Sequence, residues 1–205
     1  MKIVEFVNVT KKYKNKVILD KISLSLEIGK CYMLVGGNGS GKSTLIKLIL
    51  GLIYPNSGVI IKSNIKIGYV PERYNLPEFI KIDKFINLLS DVRKNNIQVN
   101  LLNEYYNIFD LGNNQNLKIK ELSKGMLQKT VIIQALINDP DLYIFDEALN
   151  GLDPKMQDVL LKIINDLKKK NKTIIITSHY PKLYKESVDI IYEIKSNKIE
   201  VKNNI

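Results

Sequence analysis

The stretch "CYMLVGGNGSGKSTLIKLILG", residues 31–51, constrains the fold more than any other. "CYMLV" is apolar at every position, the pattern of a strand buried on both faces of its sheet. Such a strand needs a covering layer on each side. A glycine-rich turn follows it, and then "STLIKLILG" takes up a helical pattern that stops at Gly51. "LYIF" (142–145) and "TIIIT" (173–177) are predicted as further strands. "SKGMLQKTVIIQALIND" is predicted as a helix capped by Ser123. "DPKMQDVLLKIINDLKKK" is predicted as a helix with Asp153 as its cap and Pro154 at the first helical position. Its apolar stripe is Met156, Val159, Leu160, Ile163, Ile164 and Leu167, with Lys168 to Lys170 complementing the end of its dipole.

Strands also open and close the chain. "IVEFVNV" alternates, "VILDKISLSLEI" supplies one or two strands before a turn at Gly29-Lys30, and "GVIIKSNIKIGYV" reads as two short strands around Ser63-Asn64. Two weaker strands end it. From Pro71 to about Asn116 the pattern changes to short helices and polar connectors, such as "IDKFINLLSDVRK". Strand–helix alternation in the flanks, with a helical insert between them, predicts an α/β fold: a mostly parallel sheet covered by helices. The 205 residues are expected to form a single domain.

Composition removes several function classes. The formal charge of +10 raises the question of nucleic acid or an anionic membrane surface. Arg73 and Arg93 are the only arginines among the 31 basic residues, and no basic patch is interleaved with aromatics. Base readout leans on arginine, so the lysines are read as a solvated surface and no specific nucleic acid is expected. No run approaches the length of a membrane helix, and "MKIVEFVNVT" lacks the features of a signal peptide. Cys31, the one cysteine, cannot form an internal disulfide and is expected to be a core residue in a reducing cytoplasm.

Chemistry enters with the loop. Gly36, Gly41, Lys42 and Ser43 fit G-x-x-x-x-G-K-[ST], placed between a strand and a helix as a phosphate loop must be. Across Gly36, Gly37, Asn38, Gly39, Ser40, Gly41, Lys42, Ser43 and Thr44, backbone N–H groups can turn inward around phosphate oxygens, aided by the helix dipole. Lys42 can reach the outer phosphates, and the Ser43 hydroxyl can ligate Mg²⁺. The strand "LYIF" then ends in adjacent acids, Asp146 and Glu147. Buried carboxylates need something cationic or a reacting proton to meet. Asp146 fits a ligand to nucleotide-bound Mg²⁺, and Glu147 fits the base for the attacking water. A GTPase is excluded, because the Asn-Lys pairs at 15, 171 and 197 lead to Ile18, Ile174 and Glu200, never to the aspartate of N-K-x-D.

With these motifs in order, the chain resembles the ATP-binding cassette (ABC) ATPases along nearly its whole length. The family's L-S-G-G-Q signature has a counterpart in "LSKGM", Leu122 to Met126, where Ser123 and Gly125 match the γ-phosphate contacts. Asp153 in "NGLD" matches the D-loop aspartate, and His179 in "TSHY" matches the switch histidine at the γ-phosphate. Tyr13 matches the aromatic residue that stacks on adenine. The resemblance implies a P-loop NTPase with a RecA-like core, an N-terminal antiparallel β subdomain and a helical subdomain inserted at about 73–135. It implies ATP and Mg²⁺, cassettes paired head to tail as a homodimer or paired cassette with ATP at the interface, and separately encoded transmembrane permease subunits at the cytoplasmic face of the membrane.

Departures from the family pattern are Lys124 for a signature glycine, Met126 for the glutamine and Ala148 for the proline after the catalytic glutamate. The sharpest is Glu72, in "GYVPERYNLP", at the position of the Q-loop glutamine that touches Mg²⁺. Glu72, and an ending soon after the last core strand, point to export, as of a peptide or drug. The competing function is a non-transport ABC ATPase acting on ribosomes or DNA. One cassette rather than two, and an insert too short for long coiled coils, weigh against it.

Overall fold

A computed structural model describes residues 1–92 and 99–202 of the chain. Two sheets organise it. β1 (Lys2–Tyr13), β2 (Lys16–Glu27) and β4 (Ser57–Lys62) form an antiparallel sheet in the order β2-β1-β4. The second sheet runs β5-β6-β7-β3-β8-β9, comprising β3 (Cys31–Val35), β5 (Ile67–Val70), β6 (Leu142–Asp146), β7 (Thr173–Thr177), β8 (Ile190–Lys195) and β9 (Lys198–Lys202). Its first five strands are parallel, and β9 closes it as an antiparallel hairpin with β8.

The continuous apolar strands are explained by what covers them. In β3, Cys31 and Met33 join one buried cluster, whereas Tyr32 and Leu34 join another. β6 divides likewise, with Tyr143 and Phe145 on the first side and Leu142 and Ile144 on the second. The first cluster holds Ile82 and Ile86 of α2 (Ile82–Val92), Leu102 and Tyr106 of α3 (Val99–Ile108), Ile132 of α4 (Lys124–Leu136) and Leu160 of α5 (Pro154–Lys169). The second holds Leu45 and Ile49 of α1 (Lys42–Leu50) with Phe6, Val9, Leu19 and Ile22 of the antiparallel sheet. The central sheet is therefore the shared wall of two cores, which is why β3 and residues 142–145 of β6 carry apolar or aromatic side chains on both faces. Cys31 is fully buried in the first core, where burial pushes its thiol up to about 12.

Local expectations meet the structure closely. Ser123 caps α4, its hydroxyl accepting from the Met126 amide at 3.2 Å, and Asp153 caps α5 through the Met156 amide at 3.0 Å. Of the α5 stripe, Met156, Leu160, Ile164 and Leu167 are buried. "VILDKISLSLEI" forms one strand, β2, as far as Glu27, and Ile28 begins the turn. The helix expected over "IDKFINLLSDVRK" is α2, while Arg93 and Lys94 lie outside the described residues. The two strands flanking Ser63-Asn64 belong to different sheets, β4 to the antiparallel one and β5 to the parallel one. Gly68 lets α4 press onto β5: a Cβ there would sit 2.4 Å from the Ala135 carbonyl oxygen. The base of the helical segment is closed by Ile82 donating to the Leu117 carbonyl and Ile119 donating to that of Ile80, at 3.1 and 2.9 Å.

Candidate nucleotide site

Parallel strands deliver their C-terminal ends to one edge of a sheet, and ligands of open α/β sheets bind there. In this register Thr177 of β7 lies opposite Asp146 of β6 on one side and Leu34 of β3 on the other. The phosphate loop after β3, the acids ending β6 and the histidine after β7 therefore emerge side by side. They border a cavity of about 330 Å³, lined by residues 38–44, Glu72, Asp146, Glu147 and His179, and by Lys16 and Ile18 of β2.

The loop is built around backbone groups. Gly36 has no room for a side chain, since a Cβ would lie 2.6 Å from both the Ile194 carbonyl oxygen and Ser40 Oγ. Gly41, the cap residue of α1, has φ 117 and offers no side-chain cap. Both α4 and α5 have a side-chain oxygen on their first turn; α1 has none, so its first N–H groups are left for an anion. Lys42 folds back over the loop, its Nζ donating to the carbonyls of Gly36 at 2.7 Å and Gly37 at 3.3 Å.

The acids are buried and held. Asp146 is 4% exposed; its Oδ1 accepts from the Thr177 hydroxyl at 2.6 Å, and the Tyr69 hydroxyl lies 3.4 Å from Oδ2. Burial holds its carboxyl above the usual aspartate range, with the Thr177 hydrogen bond pulling the other way. Glu147, 6% exposed, takes a left-handed backbone at φ 54. Its Oε2 accepts from the His179 amide at 3.1 Å, and its Oε1 is 3.6 Å from His179 Nε2. Burial raises its pKa as well, against the lowering effect of that amide. Glu72, half exposed and 4.0 Å from the Arg73 guanidinium, adds a third carboxylate to the cavity.

A carboxyl whose folded pKa exceeds its unfolded value destabilises the fold once it ionises, and the penalty disappears below the unfolded pKa. Asp146→Asn is therefore expected to raise the nucleotide-free melting temperature at neutral pH. The gain should shrink as pH falls towards the aspartate range, and differential scanning fluorimetry across pH measures it. A melting temperature that drops instead would mean that the carboxylate is stabilising where it lies.

Not every expected residue reaches this cavity. Gly36 and Gly37 serve it from behind, as acceptors for Lys42. Tyr13 is 44% exposed and does not line it; the Lys11 ammonium lies 5.3 Å from its ring centre. Ser123, Gly125 and Asp153 also lie outside the lining, the first and last occupied as helix caps. Conversely, Lys16, Ile18, Tyr69 and Thr177 escaped the sequence reading. Thr177 closes an apolar strand and looks like ordinary strand composition until the register puts it beside Asp146. Ile18 is brought in by the bare Gly41, where a Cβ would lie 3.2 Å from its Cγ2.

Known proteins share this chain's sequence pattern and fold. The family model described as ABC transporter matches residues 19–150. The zinc import ATP-binding protein ZnuC of Rickettsia bellii is 39% identical over 181 residues, covering 86% of this chain and 76% of its own length. Nod factor export ATP-binding protein I of Burkholderia orbicola is 33% identical over 193 residues, covering 86% and 62%. An ATP-binding subunit of an ABC transporter superposes with TM-score 0.89 at 25% identity, over 98% of this chain and 89% of that one. A dimeric ATP-binding cassette in a post-hydrolysis state with ADP and Pi shares the fold, with TM-score 0.87 at 24% identity over 97% of each chain. The export direction drawn from Glu72 finds no support in these relatives, since zinc import proteins match at higher identity than the export protein. From the residues matched and the length they span, the chain belongs to the ABC transporter family, as an ATP-binding subunit and ATPase.

Proposed function

We propose that two cassettes pair head to tail around ATP and hydrolyse it to drive separately encoded membrane-spanning subunits. The observation that carries this is Glu147, a buried carboxylate held by the His179 amide at the wall of the phosphate-loop cavity. In this reading the uncapped first turn of α1 and residues 36–44 cradle the phosphates. Lys42 exchanges its loop carbonyls for phosphate oxygens. Glu147, ionised, orients the attacking water and accepts its proton, and His179 holds the γ-phosphate beside it. Burial of Glu147 suits a base, because a raised pKa makes it a better proton acceptor once ionised.

The residues present fit Mg²⁺. Among the described residues no group of three or more His, Cys, Asp or Glu side chains forms a site of its own. Mg²⁺ is held characteristically by one or two carboxylates together with substrate phosphates and water, and Ser43, Asp146 and Glu72 supply hard oxygen donors at the cavity. Bound there, the ion would neutralise charge on the outer phosphates.

Ser123 and Gly125 would complete the site of a second cassette, which agrees with their place outside their own cavity. Residues 73–135 would be the helical subdomain that docks on the membrane subunit. A groove of about 390 Å³ lined by Tyr74, Leu76, Ile119, Leu122 and Leu127 supports this, as does Phe79, 73% exposed close to it in sequence. No helix among the described residues is long and apolar enough to cross a membrane. Similarity to ATP-binding proteins of import and export systems supports placing the pathway in partner subunits and this chain beside them at the cytoplasmic face. For direction, the identities favour import over export. Light scattering tests the pairing: a monomer without nucleotide should become a dimer with Mg²⁺ and ATP. A chain that binds ATP and stays monomeric at tens of micromolar would overturn it.

A further inference from the structure

Asp146 and Glu147 are neighbours in sequence with different proposed duties, and one buried hydroxyl touches both. Thr177 is fully buried at the end of β7. Its Oγ1 donates to Asp146 Oδ1 at 2.6 Å and accepts from the Glu147 amide at 3.1 Å. The same amide lies 3.2 Å from the Thr177 carbonyl oxygen. A hydroxyl has one proton to give, so donating it to Asp146 leaves its lone pairs for Glu147. The donated bond is short and charge-assisted, in a site with little water to compete.

We infer that Thr177 is a positioning residue which sets the metal carboxylate and the catalytic backbone together. The inference rests on the proposed roles of Asp146 and Glu147 and deepens them. With Oδ1 tied to Thr177, the carboxylate cannot rotate freely, and Oδ2, whose contact with Tyr69 is long at 3.4 Å, is the oxygen left for a cation. The Glu147 backbone, at φ 54, is costly for a residue with a Cβ, and two acceptors on one threonine hold its amide there. Valine would satisfy the apolar surroundings of "TIIIT" as well as threonine does. The hydroxyl is explained by the acids, not by the core.

The test compares Thr177→Val, Thr177→Ser and Asp146→Asn with the unaltered protein. The affinity for a fluorescent, non-hydrolysable ATP analogue is measured in EDTA and in Mg²⁺, and the ratio reports how strongly metal supports nucleotide. Thr177→Val is expected to cut that ratio by about tenfold or more, as loss of a ligand-orienting partner does, with the EDTA affinity within about twofold. Thr177→Ser should restore the ratio, which a purely space-filling role would not require. If the valine variant does not fold, Thr177→Ala answers the same question. An unchanged or increased ratio in the hydroxyl-free variant, with Asp146→Asn losing it, overturns the inference alone. A ratio kept by Asp146→Asn removes the metal role of Asp146, and the inference with it.

Discussion

Glu147→Gln is expected to keep ATP binding and to slow hydrolysis by about two orders of magnitude or more. Glutamine retains the shape and an oxygen that can accept from the His179 amide, now 3.1 Å from Oε2. It cannot take a proton from water at neutral pH, and it carries no charge to orient that water. With hydrolysis blocked, the ATP-bound dimer should accumulate, visible by size-exclusion chromatography beside a phosphate-release assay. The pH profile adds a second check. Burial raises the Glu147 pKa, so activity should fall on acidification from a higher pH than an ordinary glutamate would give. Near-normal turnover in the glutamine variant would place the base elsewhere.

A mixture of Ser123→Arg and Lys42→Ala proteins should recover activity that neither has alone. Arginine at Ser123 removes the α4 cap and puts a bulky cation where a partner's ATP would meet the helix. Alanine at Lys42 removes the ammonium now held by the Gly36 and Gly37 carbonyls. In a head-to-tail pair each damages a different half of a site. A mixed dimer therefore holds one site with both halves intact and one with neither. Random pairing gives about a quarter of the wild-type number of intact sites. Phosphate release in the mixture no greater than in either parent would contradict the arrangement. The geometry behind the expectation is that Ser123 and Gly125 lie outside the cavity of their own chain.

The residues most open to inspection in the sequence were those whose work is done within a few positions of backbone. A strand, a glycine loop and a helix occupy 31–51 without interruption, and the uncapped α1 follows from Gly41 alone. Ser123 and Asp153 reveal themselves as caps because a cap bonds three residues ahead of itself. Asp146 and Glu147 stand out as acids at the end of a strand too apolar to be anything but buried. His179 and Glu72 are different, since their significance came from family resemblance and not from local pattern.

Alternation and capping are local energies, so the main elements, the phosphate loop and the acid pair can be read directly from the chain. What it left undecided was who stands beside whom. β7 comes after β6 in the chain yet lies between β6 and β3, an order that only the competition among buried faces could select. That order turned Thr177 from the last letter of an apolar strand into the hydroxyl between two catalytic candidates. It also sent β4 and β5, separated by four residues, into different sheets, and it pressed β2 against Gly41 so that Lys16 and Ile18 became cavity wall. Contacts of this kind join residues distant in the chain, 31 positions for Asp146 and Thr177 and 143 for Leu34 and Thr177, and their free energy depends on the whole packed core rather than on any window of sequence.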